Sequence, residues 1–186
     1  MGFLKEGSED TLTPLGVSAT EVNEAHPILL PLLYQGGGTK NLSAEEILTV
    51  LAAFLGEGGK EKEHIDVIQV PAAVKECLWS IQREAHRCQA LEAARAPKDG
   101  YWEVNITWVE LIWRWLQGAS VQELCEDYES YEGNLMRMLL KLVNILEEWR
   151  SLASLAADVD ALAKLQGVEE NLLRDVAICD SLYLRL

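Results

Sequence analysis

The sequence predicts an all-α protein, a multi-helix bundle of about eight helices with no substantial sheet. Three observations predict it. Apolar residues recur at spacings of three and four through most of the chain, which puts them on one face of a 3.6-residue helix. Helix start signals recur as well: Thr13-Pro14, and two Ser-x-x-Glu capping boxes at Ser43–Glu46 and Ser120–Glu123. Period-two alternation is missing except weakly over His64–Val70, where a small strand is allowed.

In chain order, Thr13 caps a first helix that opens on Pro14 and reaches Val22. His26-Pro27 restarts the chain into Ile28–Tyr34, and Gly36, Gly37 and Gly38 stop it. The first capping box starts a helix carrying Ile47, Leu48, Leu51, Ala52 and Leu55 on its apolar side. Pro71 opens the longest helix, to about Arg95, with the stripe Val74, Cys77, Leu78, Ile81, Ala85, Cys88 and Leu91; Pro97-Lys98-Asp99-Gly100 ends it. Val104–Leu116 follows, with Trp108, Leu111 and Trp115 on one buried face, and Gly118 closes it. The second box starts a short helix to about Asp127. Gly133–Trp149, Leu152–Leu165 and Val168–Leu186 complete the set, the first with Leu135, Leu139, Leu142, Leu146 and Trp149 as its buried stripe. Residues 1–10 read as a leader and 11–186 as one domain, with a Gly- and charge-rich loop near 56–66.

With 186 residues, 49% of them hydrophobic, the chain can bury a core without metal or disulfide support. Thirty acidic against 16 basic residues give a formal charge of −14. That excludes a free-standing electrostatic nucleic-acid binder, since phosphate neutralisation needs a basic surface, but it leaves room for a local basic strip. No CxxC pair and no secretory signal occur, so Cys77, Cys88, Cys125 and Cys179 read as reduced thiols of an intracellular protein. The longest apolar runs fall far short of the ~20 residues that span a bilayer, so no membrane partner is expected.

Catalytic motifs are missing. A phosphate loop needs Gly, four residues, then Gly-Lys-Ser/Thr; here Gly59-Lys60 runs into Glu61, and Phe54 stands where the first glycine belongs. Cys77 and Cys88 share a helix face, but His86 points the opposite way, and the two thiols lie roughly 16 Å apart along the axis, so one metal cannot collect all three. His64, between Glu63 and Asp66, is an unspecific metal ligand at best. No Gly-x-Ser-x-Gly elbow occurs, and no carboxylate pair stands out. The surface feature that does stand out is on Gly133–Trp149. Arg137 and Lys141, four apart, share a face that Asn144 continues, so each cation can touch a phosphate of a passing strand.

Trp115-Leu116-Gln117-Gly118-Ala119-Ser120-Val121-Gln122-Glu123-Leu124-Cys125 resembles a family run W-x-x-G-A-S-F-x-E-I-C. Tyr131-Glu132-Gly133-Asn134-Leu135-Met136-Arg137 is similar to the x-E-G-S-I-I-R that follows it, and Arg174–Leu184 to R-D-I-V-F-A-x-S-L-Y-L. Upstream, Leu12–Asn23 and Leu42–Ala52 resemble L-T-x-x-G-x-x-A-x-E-I-N and L-S-x-E-E-I-x-A-L-L-S. Together they resemble the C-terminal helical domain, called DSHCT, of the exosome-cofactor DExH RNA helicases, the superkiller and mRNA-transport helicases. The resemblance covers about residues 11–186.

It implies a helical bundle packed on two motor domains, with one helix bordering the RNA path like a ratchet. The implied RNA contacts are Arg137 and Lys141, with Asn144 beside them. Where the family carries adjacent basic residues this chain has Leu140-Lys141, and where it carries a basic residue this chain has Glu147, which lowers the local positive charge. The implied partners are helicase motor domains, in cis or in trans, single-stranded RNA and exosome-associated proteins. No cofactor is expected in this chain, because ATP and Mg belong to the motor of the parent helicase. The alternative is a non-catalytic protein-interaction module derived from the same domain, which the net charge favours.

Overall fold

A computed structural model describes residues 2–7, 10–56, 64–92, 101–102 and 104–174. Among these, nine α-helices and no strand are found; the nearest approach to a sheet is a single antiparallel bridge between Leu4 and Leu12. The all-α expectation holds, and the nine helices fall in the segments expected to be helical. His64–Val70 is not a strand: Ile65–Val67 makes a 3-10 turn that buries Ile65.

α1 (Pro14–Thr20) begins where Pro14 fixes the first helical φ and the Thr13 hydroxyl accepts from the Gly16 N–H at 3.1 Å. It ends two residues before Val22, which is buried in the connector instead. Gly16 sits so close to the Phe3 carbonyl that a Cβ would lie 2.1 Å from its oxygen, so no other residue fits there without moving the leader. α2 (Leu29–Gly36) stops at Gly37, whose φ of +68° is the left-handed cap that favours glycine.

α3 (Ala44–Leu51), continued by a 3-10 turn over Ala52–Phe54, starts with both halves of its capping box made: Glu46 N–H to the Ser43 hydroxyl and Ser43 N–H to the Glu46 carboxylate. It lies at the centre, against α4, α5 and α7, and five of its eight residues are buried. α4 (Ala72–Glu92) buries Val74, Cys77, Leu78, Ile81, Ala85 and Cys88 as the spacing predicts, but Leu91 is 57% exposed. The terminator Pro97–Gly100 lies outside the described residues.

α5 (Val109–Leu116) starts five residues later than expected. The Asn105 side chain accepts from the Thr107 N–H at 2.8 Å, a local turn that competes with helix over 104–107. Trp108, Leu111 and Trp115 are each 2% exposed or less, the shared buried face that their spacing predicts. α6 (Val121–Asp127) has only half of its predicted box. Ser120 accepts from the Glu123 N–H, but the Glu123 carboxylate accepts instead from Arg114 on α5 at 2.9 Å.

Among the described residues α7 (Glu132–Leu155), with 24 residues, is longer than the 21 of α4, which was expected to be the longest, and it runs through the break expected after Trp149. Arg150-Ser151 contains neither Gly nor Pro, so nothing there stops propagation. The chain turns at Ala157, with φ of +53°, and the Asp158 carboxylate caps α8 (Val159–Lys164) through the Ala161 N–H. α9 (Val168–Leu172) starts where the last helix is expected but gives way to a turn at Leu173 and Arg174, and residues 175–186 of the expected span lie outside the described residues. It is docked by Trp115, whose indole N–H donates to the Leu172 carbonyl at 2.9 Å, and by Arg174, whose guanidinium lies 3.7 Å over the Trp115 ring and donates to the Ala119 carbonyl.

Trp115 is therefore both core and hinge pin. Trp115→Ala should cost roughly 3–5 kcal/mol, whereas Leu91→Ala should change stability by less than about 0.5 kcal/mol. Urea unfolding followed by far-UV circular dichroism measures both.

Candidate nucleic-acid interface

On α7 the sequence places Arg137, Lys141, Asn144 and Glu148 four, three and four residues apart, so all four share one face. The structure puts the three expected residues together there. Arg137 and Asn144 are exposed, and Arg137 has no ion pair among the described residues. Lys141 is different: its ammonium lies 3.1 Å from the Glu24 carboxylate, with the side chains 37% and 31% exposed. Leu140, half exposed, stands beside them.

Glu24 belongs to the connector between α1 and α2, and Glu148 explains why the connector is there. Glu148 is buried, and its carboxylate accepts from three successive backbone N–H groups: Asn23 at 2.7 Å, Glu24 at 2.5 Å and Ala25 at 3.0 Å. Successive N–H groups turned to one side form an anion-binding concavity, here filled by a side chain of the same molecule. The connector therefore crosses the C-terminal half of the stripe. It covers Glu148 and sets Glu24 against Lys141. Sequence spacing singles out neither glutamate: Glu148 reads as part of the polar face that it shares with Arg137, and only the connector laid over it makes it buried.

His26 holds the other end of the connector. Its Nδ1 accepts from the Ile28 and Leu29 N–H groups at 3.2 and 3.3 Å, capping α2, so Nε2 carries the proton and donates to the Tyr101 carbonyl at 3.1 Å. The ring stacks on Trp102 and tilts against Tyr101, with centroids 4.9 and 4.7 Å away. Burial pushes its pKa below the ordinary 6.5.

The remaining ionic clusters tie helices together. Arg114 pairs with Glu123 and Asp127 and lies over the Tyr128 ring, fixing α6 to α5. Burial, then the nearby Glu110 carboxylate, pushes the Tyr128 hydroxyl up to about 12. Arg150 pairs with Glu147 and Glu169 and donates to the Leu165 carbonyl, joining α7 to α8 and α9. Cys77 and Cys88 are buried on one face of α4, and burial raises both thiols, which keeps them neutral. His86 is exposed on the opposite face, and Cys179 lies outside the described residues. Among the described residues, no three His, Cys, Asp or Glu side chains converge as a metal site, and no helix is long and apolar enough to cross a membrane.

The sequence matches the DSHCT (NUC185) domain over residues 9–179. The chain belongs to the DSHCT family. Among curated relatives of this DSHCT domain, mRNA transport homolog 4 of Caenorhabditis elegans is 24% identical over 193 residues, covering 99% of this chain and 18% of the relative. ATP-dependent RNA helicase mtr4 of Schizosaccharomyces pombe is 23% identical over 186 residues, 95% of this chain and 16% of the relative. Superkiller complex protein 2 of Homo sapiens is 24% identical over 167 residues, 86% of this chain and 13% of the relative. The chain thus spans less than a fifth of the length of these relatives.

Two outcomes follow for the DSHCT domain. Glu148→Ala should cost roughly 1–3 kcal/mol, the cost of leaving the buried Ala25 N–H without an acceptor, since the N–H groups of the exposed Asn23 and Glu24 can turn to water; chemical denaturation tests it. Because the folded pKa of His26 lies below its unfolded value, its contribution is present above about pH 6.5 and is lost as pH falls through the folded pKa. Between pH 7.5 and 5.5 the parent should lose more unfolding free energy than His26→Gln, which cannot take up a proton there.

Proposed function

We propose that this DSHCT domain is the RNA-facing helical part of a DExH-type RNA helicase, a ratchet-like wall of its RNA channel working in exosome-linked RNA decay. Motor domains, in cis or in trans, would supply ATP and Mg binding and the hydrolysis that drives movement. The observation that carries the reading is the outer face of α7, where Arg137 and Asn144 stand exposed in the helix that follows Glu132-Gly133. Several of its relatives are named as ATP-dependent RNA helicases. An exposed arginine there meets a backbone phosphate and positions the strand without reading its sequence. With −14 net charge behind it, the isolated domain should bind single strands weakly at best.

A second reading rests on a specific contact. The Glu24–Lys141 pair neutralises one of the two cations on this face, which favours a protein-interaction module that kept the bundle and lost RNA contact.

One experiment separates them. The chain is joined to the motor domains of the S. pombe relative in place of that protein's own C-terminal segment, and single-strand affinity is measured across a salt series. Arg137→Ala should weaken binding and flatten the log–log salt slope by about 0.7, the value for one phosphate contact on a single strand. Glu24→Gln should free Lys141 and steepen the slope by a similar amount. Unchanged slopes and affinities in both variants would reject the channel reading in favour of the interaction module.

A further inference from the structure

α1, α2, the C-terminal end of α7 and α8 do not pack flush. They leave a cavity of about 780 Å3, within the roughly 300–1,000 Å3 that takes a drug-sized ligand or a few residues of peptide. It lies at the opposite end of α7 from Arg137. Pro31, Ile47 and Leu152 give it an apolar lining, and Val17 and Leu155 stand at it 41% and 53% exposed. Apolar side chains left this open beside a concavity mark a contact surface.

The polar lining divides into committed and uncommitted groups. Asp158 accepts from the Tyr34 hydroxyl at 3.0 Å and from the Ala161 N–H. The Lys164 ammonium donates to the carbonyls of Lys40 and Leu42 at 2.6 and 2.9 Å. The Lys40 ammonium has no hydrogen bond or ion pair among the described residues, and the buried indole N–H of Trp149 has no acceptor. Lys40, exposed and without such a partner, is the cation that the lining leaves available, and it calls for a carboxylate. Asp160, an exposed carboxylate in the same lining, opposes a polyanion such as RNA.

We propose that this cavity is a docking site for an extended peptide segment of a protein partner, with one bulky apolar side chain on the cavity floor and an adjacent acidic residue paired with Lys40. A peptide meets both demands with adjacent residues, an apolar anchor for the cavity floor and a carboxylate for Lys40. The site does not depend on the RNA face, so it stands or falls independently of that reading.

The test is a selection of random 12-residue peptides displayed on phage against the full chain, with Leu155→Asp as the counter-selection target. Enriched sequences should share a bulky apolar residue next to Asp or Glu. A fluorescein-labelled copy of the enriched peptide should bind saturably by anisotropy, at least 10-fold more weakly to Leu155→Asp and at least 3-fold more weakly to Lys40→Glu. Both side chains are exposed, so circular dichroism of the variants should match the parent; Val17→Asp is the second lip variant should Leu155→Asp misfold. No enrichment over the counter-selection, enrichment of basic sequences, or affinities unchanged by the variants would overturn the proposal. So would displacement of the peptide by oligouridine, or self-association in sedimentation that Leu155→Asp abolishes, which would make the occupant a second copy of this chain.

Discussion

One carboxylate fixes the relation between the two ends of this chain. Glu148 is buried on the longest helix and gathers the N–H groups of Asn23, Glu24 and Ala25. A buried carboxylate without partners would carry a heavy desolvation cost, and three N–H groups left behind it without an acceptor would carry another. Joined, each removes the penalty of the other. The geometry is also specific, since two oxygens reach three consecutive donors only where the connector adopts one turn. Once that turn is set, α1 and α2 have a fixed seat on α7, with Val22 and Ala25 buried.

The electrostatics of the outer face follow from that seat. Glu24 is carried to Lys141 by the same backbone that Glu148 grips, so their pairing costs less side-chain entropy than a pair on a freely moving loop. A partly exposed pair of this kind contributes about 0.2–1 kcal/mol to stability. It also leaves Lys141 less charge to offer any outside anion, since its ammonium already lies 3.1 Å from a carboxylate. Arg137, one turn nearer the helix start, has no such competitor among the described residues. The face therefore grades from an open arginine to a neutralised lysine to a covered glutamate.

Local signals in the sequence gave the elements and most of the core, while long-range pairings were hidden from it. Thr13, Ser43 and Ser120 cap the helices they announce because a cap acts over three residues. The stripes through Trp108–Trp115 and Leu135–Trp149 are buried because a period of 3.6 is a property of one helix alone. The length of α7 was misread because its end is set by the Asp158 cap and the turn at Ala157, not by a breaker. Arg137, Lys141 and Asn144 were correctly placed on one face by spacing. The glutamate that neutralises Lys141 could not be read, since nothing in the sequence pairs Glu24 with Lys141. Half of the second capping box failed for the same reason: Arg114, on another helix, outcompeted the local N–H for Glu123.

A single rigid element now connects two different surfaces. Arg137 and Leu155 lie 18 residues apart on α7, about 27 Å along the axis at 1.5 Å per residue. That separation exceeds the roughly 8 Å Debye length of physiological salt, so charge at one end barely reaches the other through solvent. An occupant at the cavity and a strand at Arg137 would not compete for space or charge. Any influence between them has to pass through packing, and the structure offers one route. The cavity wall includes Tyr34 of α2, which packs edge-on against Trp149 with centroids 5.0 Å apart. The start of α2 is capped by His26, the residue that follows the three bound by Glu148. A shift of α2 on filling the cavity would therefore pull on the connector, and the connector carries Glu24. Such an influence would reach Lys141 through the position of a loop held by one buried carboxylate, not through a change of charge at the surface.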